Sequence, residues 1–146
     1  MRFTFLDRLA ERHGAAIGLG SRILLAAIFV PSGFHKLTYF GDFESSIAGK
    51  GLPVPVIWSL AAVAVELLGG LCVLLGALTR PAALAMFAFT GFAAVLGHAF
   101  WAVPPSSYMA QYVNFMKNIA IMGGFLALFL AGPGRLSVDQ HLSGLR

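Results

Sequence analysis

The sequence predicts an all-α integral membrane protein, in which a short amphipathic helix at the membrane interface precedes a bundle of four transmembrane helices. Of its 146 residues, 58% are hydrophobic and only 11% are charged, whereas about 25% of the residues of a soluble domain are charged. The apolar residues fall into four runs of about 20 residues, the length that crosses a bilayer. Proline and glycine residues separate the runs, and the four spans leave no room for a soluble catalytic domain.

Residues 1–16 are predicted to form the amphipathic helix on the cytoplasmic side. Phe3, Leu6 and Leu9 alternate with charged side chains at helical spacing, which gives one apolar and one charged face. A helix of this kind lies in the headgroup region of the bilayer. The apolar run that follows is long and lacks a small-residue cleavage site, so it is interpreted as a retained span and not as a signal peptide.

Residues 17–139 are predicted to form one membrane domain, followed by a short cytoplasmic tail, residues 140–146. The apolar runs place the spans at residues 17–39, 55–78, 81–103 and 111–132. Lys and Arg in short loops favour the cytoplasmic side. Six arginines fall on the side of the termini (Arg2, Arg8, Arg12, Arg80, Arg135 and Arg146), against Lys50 on the other side. Both termini are therefore predicted to be cytoplasmic, and Arg22 at the inner end of span one is interpreted as a snorkelling anchor.

Polar side chains within the predicted spans gather in the half of the membrane opposite the termini. Glu66 falls near the middle of span two, and Lys117 of span four lies about 7 Å further toward that side. A charge at this depth costs about 3 kcal/mol on insertion scales, so Glu66 is expected to face the bundle interior with Lys117 as its partner. We take Glu66 and Lys117 as candidate catalytic residues. An equally supported alternative is an ion pair that only fixes the helix arrangement.

Five further residues of the same half are candidates for ligand binding. They are Asn114, Asn118, His98, His35 and Lys36. His35 and His98 lie at similar depth on different helices, the minimum requirement for a haem with two histidine ligands, but hydrogen-bonded histidines are the default and haem is not expected. Lys36, near its helix end, is expected to reach interfacial water. The aromatic residues at this end form an interfacial belt, or else rim a site for a flat, lipid-soluble molecule.

The composition argues against several other classes of function. Cys72 is the single cysteine, which excludes an intrachain disulfide and a cysteine cluster for zinc or iron–sulfur. The basic residues are scattered at helix ends and form no stripe, so no nucleic-acid partner is predicted. No metal site is predicted either. Phosphate-binding glycine loops, zinc-protease motifs and serine nucleophile elbows are missing from the sequence. Catalysis by a known self-contained template is therefore not expected.

A series of short motifs resembles the DoxX family of small bacterial inner-membrane proteins. In chain order the motifs are Ser32–Leu37, Lys50–Pro53, Val65–Gly70, Leu78–Arg80, Lys117–Gly124, Gly132–Arg135 and Ser137–Asp139. The resemblance implies a four-helix fold in the bacterial inner membrane. The family is named for a small membrane subunit of a thiosulfate:quinone oxidoreductase. It offers no accepted catalytic motif, so the roles of Glu66 and Lys117 rest on their depth and charge.

Three alternatives for the function remain open from the sequence. In the first, the chain is a membrane subunit of a redox complex: a quinone enters from the outer leaflet and a partner protein supplies electrons. Glu66 would then exchange a proton beside Lys117, and Asn118 or His98 would hydrogen-bond a carbonyl oxygen. In the second, the chain is a non-catalytic carrier or scaffold, which as a carrier would need a homo-oligomer to enclose a path. A subunit that only stabilises a neighbouring assembly is a third, simpler alternative.

Overall fold

The computed structural model describes residues 4–144, which form helices joined by short turns and contain no strand. Four stretches in this part of the chain are long and apolar enough to cross a membrane: Phe5–Thr38, Pro55–Leu75, Thr79–Ala102 and Pro105–Ala131. The predicted all-α, four-span membrane fold is confirmed. Predictions that involve Arg2, Phe3 and Arg146 lie outside the described residues.

The described residues form seven α-helices. They are α1 (Thr4–Thr38), α2 (Phe40–Ala48), α3 (Pro55–Ala64), α4 (Gly70–Leu75), α5 (Thr79–Gly97), α6 (Pro105–Ala131) and α7 (Val138–Ser143). A π-helical turn, Val65–Gly69, joins α3 to α4 and completes the second span. A short 3₁₀ turn, Phe100–Ala102, follows α5.

The amphipathic N-terminal segment is helical, but it is continuous with the first span. Helix α1 has 35 residues and shows no break between the segment and the span. At 1.5 Å per residue it is about 52 Å long, well beyond the hydrocarbon thickness of about 30 Å. Phe5 and Leu6 remain exposed at its beginning. The described part of the segment therefore extends the first span as one rod.

Two helices lie where the sequence predicts loop or tail. Helix α2 places Phe40, Phe43 and Ile47 at helical spacing, a pattern that its glycine and serine residues obscure. Helix α7 runs across the boundary predicted at residue 139. The fourth span also begins earlier than predicted, at Pro105, because proline suits the first turn of a helix, where an amide hydrogen has no partner.

The bundle interior is packed mainly between neighbouring spans. Helix α5 packs along α6, and α1 packs along the π-helical turn and α4, whereas α1 and α6 touch only slightly. A central cluster includes Phe29, Val73, Met86 and Phe125. The ring centroids of Phe29 and Phe125 are 5.5 Å apart, so this contact connects the first and fourth spans through the core.

Arg22 connects three chain segments at the terminal face, the end of the bundle that holds the α4–α5 turn and α7. Its side chain is 1% exposed. The guanidinium donates to the carbonyl oxygen of Leu74 at 3.0 Å and to that of Leu136. The interpretation of Arg22 as a snorkelling anchor is therefore wrong. Its neighbours offer it unpaired carbonyl oxygens at a helix end, and these replace the interfacial water that a snorkelling arginine would reach.

Asp139 fixes the same turn from the other side. Its carboxylate accepts hydrogen bonds from the backbone N–H of Leu78 and from the N–H and hydroxyl of Thr79, each at 2.8 Å. Its own N–H donates to the carbonyl oxygen of Gly76 at 2.9 Å. Leu78 has a φ of 47° and Gly76 a φ of 66°, so the turn uses a left-handed conformation that is unfavourable for leucine. We call Arg22, Gly76, Leu78, Thr79 and Asp139 the terminal clasp.

The clasp changes the acidity of Asp139. Burial works against ionisation, but the hydrogen bonds from Thr79 and Leu78 and the charge of Arg22 outweigh it and lower the pKa of this carboxyl. A lowered pKa in the folded chain means that the stabilisation is complete above the ordinary value near 3.8. It is lost as the pH falls through the lower folded value.

Asp139→Asn is expected to lower the free energy of unfolding by about 1–2 kcal/mol at neutral pH, because the amide keeps one acceptor oxygen and loses the charge. The measurement is the apparent melting temperature in detergent. The difference between the wild type and Asp139→Asn should narrow as the pH falls below about 4. Asp7→Asn, at an exposed aspartate of α1, is the control. A difference that stayed constant down to pH 2.5 would contradict this account.

The first and second spans approach most closely at Gly33. A Cβ atom added there would lie 2.9 Å from the backbone nitrogen of Leu67 and 3.0 Å from its Cα. Backbone atoms of a helix cannot move aside as a flexible side chain can. Only glycine therefore allows the two helices to meet at this point, immediately beside Glu66.

Gly33→Ala is expected to push the first and second spans apart and to lower the free energy of unfolding by about 1–3 kcal/mol. The matched control is Gly123→Ala, because an added Cβ at Gly123 meets no atom within 4 Å. That second change should be neutral or slightly stabilising, since alanine favours a helix over glycine. Equal melting temperatures for the two variants would disprove the tight contact.

Candidate functional site

Glu66 lies in the π-helical turn of the second span and points into the bundle. Its side chain is buried, with 4% of the residue exposed. A π-helical turn adds one residue to a helical turn and rotates the residues that follow, and such turns are frequent at functional sites. The turn thus carries the single acidic residue of the span into the interior at mid-membrane depth.

The partner of Glu66 is Lys36 of α1. The Lys36 ammonium donates to Oε2 of Glu66, and the two side chains are 27% and 5% exposed. The same Nζ lies 5.1 Å from the centroid of the Phe43 ring, so a cation–π contact with α2 adds to the ion pair. The close approach at Gly33, one helical turn before Lys36, brings the ammonium within reach of the carboxylate. Lys36, expected to reach interfacial water, pairs with Glu66 while its side chain stays partly exposed.

The predicted pairing of Glu66 with Lys117 is also wrong. Lys117 is exposed on the surface of α6, and its ammonium donates to Oδ1 of Asn114 at 2.9 Å. Asn118, the next residue, is the one that turns inward and is 8% exposed. Neighbouring residues of a helix are separated by about 100° around its axis, so Lys117 and Asn118 cannot share a face. The depth of Lys117 along the span, on which the prediction rested, does not indicate the direction in which its side chain points around the helix axis.

A cavity of about 180 Å³ lies directly beside the ion pair. We call it the distal cavity, because its polar lining residues lie near the distal face, the end of the bundle opposite the terminal face. Parts of α1, α2, α3 and α5 form its walls. Its polar lining residues are Lys36, Ser46, Lys50 and His98, and its aromatic ones are Phe43, Trp58, Phe89 and Phe92. Helix α2, which the sequence did not predict, closes one side of this cavity.

His98 ends helix α5 and faces the distal cavity. Its Nδ1 lies 2.9 Å from Oε1 of Gln111, so the imidazole and the amide share a hydrogen bond in which Nε2 takes no part. Lys50 donates to the carbonyl oxygen of Leu96 at 3.0 Å and so caps the same helix end. Gln111 and Lys50 position the site, although sequence reasoning gave neither a role in it. The available signal for Gln111 was its position as a polar residue at the beginning of the predicted fourth span.

The remaining predicted site residues lie elsewhere. His35 is exposed, and its ring packs 4.8 Å from that of Tyr39. It does not line the distal cavity with His98, so the two rings do not meet the geometric requirement of a haem with two histidine ligands. Asn118 is buried in the bundle and does not line the cavity either. Of the predicted residues, Lys36 and His98 line the cavity, and Glu66 joins it through its bond to Lys36.

The arrangement suits a flat molecule with oxygen acceptors. Trp58 and Phe92 stack with ring centroids 5.7 Å apart and planes inclined by 19°, which gives the cavity a flat aromatic wall. The Lys36 ammonium has hydrogen-bond donors beyond the one that Glu66 accepts. Within residues 4–144, no group of three or more His, Cys, Asp or Glu side chains is placed to hold a metal ion. The Lys36 ammonium can donate a hydrogen bond to an oxygen of such a molecule, and the aromatic wall can pack against its ring.

Comparison with known proteins agrees with this architecture. The DoxX family model matches residues 17–99. The inner membrane protein YphA of Escherichia coli is 34% identical over 121 residues, which cover 83% of this chain and 86% of YphA. The inner membrane protein YqjF of the same organism is 36% identical over 128 residues, which cover 86% of this chain and 91% of YqjF.

A more distant relative is the uncharacterized membrane protein Rv3486 of Mycobacterium tuberculosis, which is 28% identical over 93% of this chain and 87% of its own length. No solved structure matches the chain. The family match covers more than half of the chain, and the two Escherichia coli relatives match it over most of their length. The four-span membrane bundle described above therefore belongs to the DoxX family.

Proposed function

We propose that the chain is the membrane subunit of a redox complex and that it binds a quinone in the distal cavity. The observation that carries this proposal is the ion pair of the buried Glu66 with the half-buried Lys36, beside an aromatic-lined cavity. A charged pair is costly within a membrane, and such pairs commonly mark substrate sites and proton paths. The aromatic walls suit the flat ring of a quinone, and the ammonium suits one of its carbonyl oxygens.

Reduction of a quinone to a quinol consumes two electrons and two protons. In the proposed redox complex, a partner protein supplies the electrons. As electrons arrive, negative charge develops on the two quinone oxygens. The Lys36 ammonium, held by Glu66 and Phe43, stabilises that charge without having to reorient.

The protons come from side chains that line or adjoin the cavity. The Lys36–Glu66 pair supplies one proton to the nearer oxygen and regains it from the distal face. His98 passes on the second proton through Nε2, which takes a proton from water at the distal face and delivers it to the other quinone oxygen while Nδ1 stays bonded to Gln111. In this scheme Lys36 and Glu66 act together. Lys117 lies on the exposed surface of α6, bonded to Asn114, and takes no part.

The proposal includes an orientation in the bacterial inner membrane, where YphA and YqjF are named as residing. Among the described loops and helix ends, Arg8, Arg12, Arg80 and Arg135 lie toward the terminal face, against Lys36 and Lys50 toward the distal face. Because cationic residues favour the cytoplasm, both termini are placed there. The distal cavity then opens into the outer half of the membrane.

Glu66→Gln tests the role of the ion pair, because glutamine keeps the shape of the side chain and removes its charge. We expect quinone reduction by the purified complex to fall about 10- to 100-fold, since the pair no longer supplies the proton. Glu11→Gln, at an exposed glutamate of α1, should leave the rate unchanged. The complex is prepared in mild detergent, and mass spectrometry identifies the partner protein that co-purifies.

The structural alternative gives a different result in the same experiment. If the pair only holds the spans together, Glu66→Gln lowers the melting temperature but leaves the turnover of the folded protein unchanged, and that outcome rejects the proposed role. A purified chain that carries no quinone and binds none would instead favour a carrier or scaffold. The optical spectrum and a lipid extract of the purified protein decide between a quinone-binding subunit and a carrier or scaffold.

A further inference from the structure

We infer that the ligand of the distal cavity carries a hydrocarbon tail, which lies in an apolar groove between the second and third spans; this inference rests on the proposed function. The groove has a volume of about 430 Å³ and is open along the lipid-facing side of the bundle. Ala61, Val65, Ala85 and Ala88 line the groove but not the cavity. We call it the tail groove.

The tail groove and the distal cavity adjoin. Trp58, Ala62, Phe89 and Phe92 line both of them. The stacked rings of Trp58 and Phe92 therefore stand at the boundary of the two spaces. A ligand whose ring packs against these aromatic residues has the tail groove beside it, between α3 and α5.

The size of the distal cavity requires part of the ligand to lie outside it. Pockets that enclose a complete small ligand have volumes of about 300–1,000 Å³, whereas this cavity has about 180 Å³. It holds a head group of roughly one ring. The adjoining groove supplies the remaining space, on the side that the hydrocarbon of the bilayer reaches.

The polarity of the two spaces differs in the same direction. The cavity presents Lys36, Ser46, Lys50 and His98, whereas every residue that lines the groove is apolar. Alanine dominates the lining that belongs to the groove alone, and a larger aliphatic side chain at these positions would fill it. The two spaces together fit an amphiphile with an oxygen-bearing ring and an alkyl or isoprenoid chain. Such a ligand arrives sideways from the lipid and does not need a path through water.

Trp58 offers a direct readout of both spaces. The chain has two tryptophans, so Trp101→Phe leaves Trp58 as the single fluorophore at the junction. The full chain in lipid nanodiscs is titrated with two benzoquinones that share one head group, one with a decyl tail and one without a tail. Saturable quenching of Trp58 is measured against the mole fraction of quinone in the lipid, which removes the effect of partitioning.

Ala88→Leu, in the Trp101→Phe background, fills the tail groove and leaves the cavity residues in place. It should raise the half-saturating mole fraction of the decyl quinone by at least about tenfold, because a few methylene groups lose their contact with the protein. Binding of the quinone without a tail should not change. Ala127→Leu, at an exposed position of α6 that lines a different groove, should change neither value.

The other outcomes overturn the inference in recognisable ways. If Ala88→Leu weakens neither quinone, the tail lies elsewhere. If it weakens both equally, the variant disturbs the head site and the groove does not hold a tail. If the wild-type cavity binds the quinone without a tail but gains nothing from the decyl chain, the inference fails and the proposed function stands. If neither quinone quenches Trp58 saturably, the proposed function fails and the inference fails with it.

Discussion

The ion pair between Lys36 and Glu66 is the interaction on which the arrangement of the distal half of this protein depends. Hydrocarbon does not solvate a carboxylate or an ammonium, so each group must find its partner within the bundle. Three features of the backbone make the pairing geometrically feasible. Gly33 lets the first two spans touch, the π-helical turn directs Glu66 inward, and α2 brings Phe43 against the ammonium.

The opposite end of the bundle solves a different problem with similar means. There the α4–α5 turn and the C-terminal segment carry backbone carbonyl and N–H groups that need partners near the membrane surface. Arg22 and Asp139 supply these partners from segments distant in sequence. The clasp ties the first span, the α4–α5 turn and α7 together, whereas the distal end keeps an open cavity. A bundle that is fixed at one end and holds a cavity at the other fits the proposed binding of a ligand from the membrane.

Depth and direction explain which parts of the site the sequence predicted. Glu66, Lys36 and His98 were selected because the rise along a helix fixes how deep each residue lies. Lys117 was selected on the same ground, and it failed because its direction around α6 points away from the interior. The π-helical turn adds a further rotation, which no regular helical period includes. The aromatic residues Trp58 and Phe92, which the belt interpretation covers, become a cavity wall only because α3 and α5 are neighbours.

The sequence by itself determined the solvent of this protein, the number of its spans and the approximate depth of every polar group within them. Hydropathy and length are properties of single segments, and the bilayer converts them directly into spans. The tertiary structure alone decided which lysine meets Glu66, which histidine faces the cavity and which helices enclose it. Those features depend on how far each helix is rotated and how closely it approaches its neighbours, and packing between segments distant in the chain sets both.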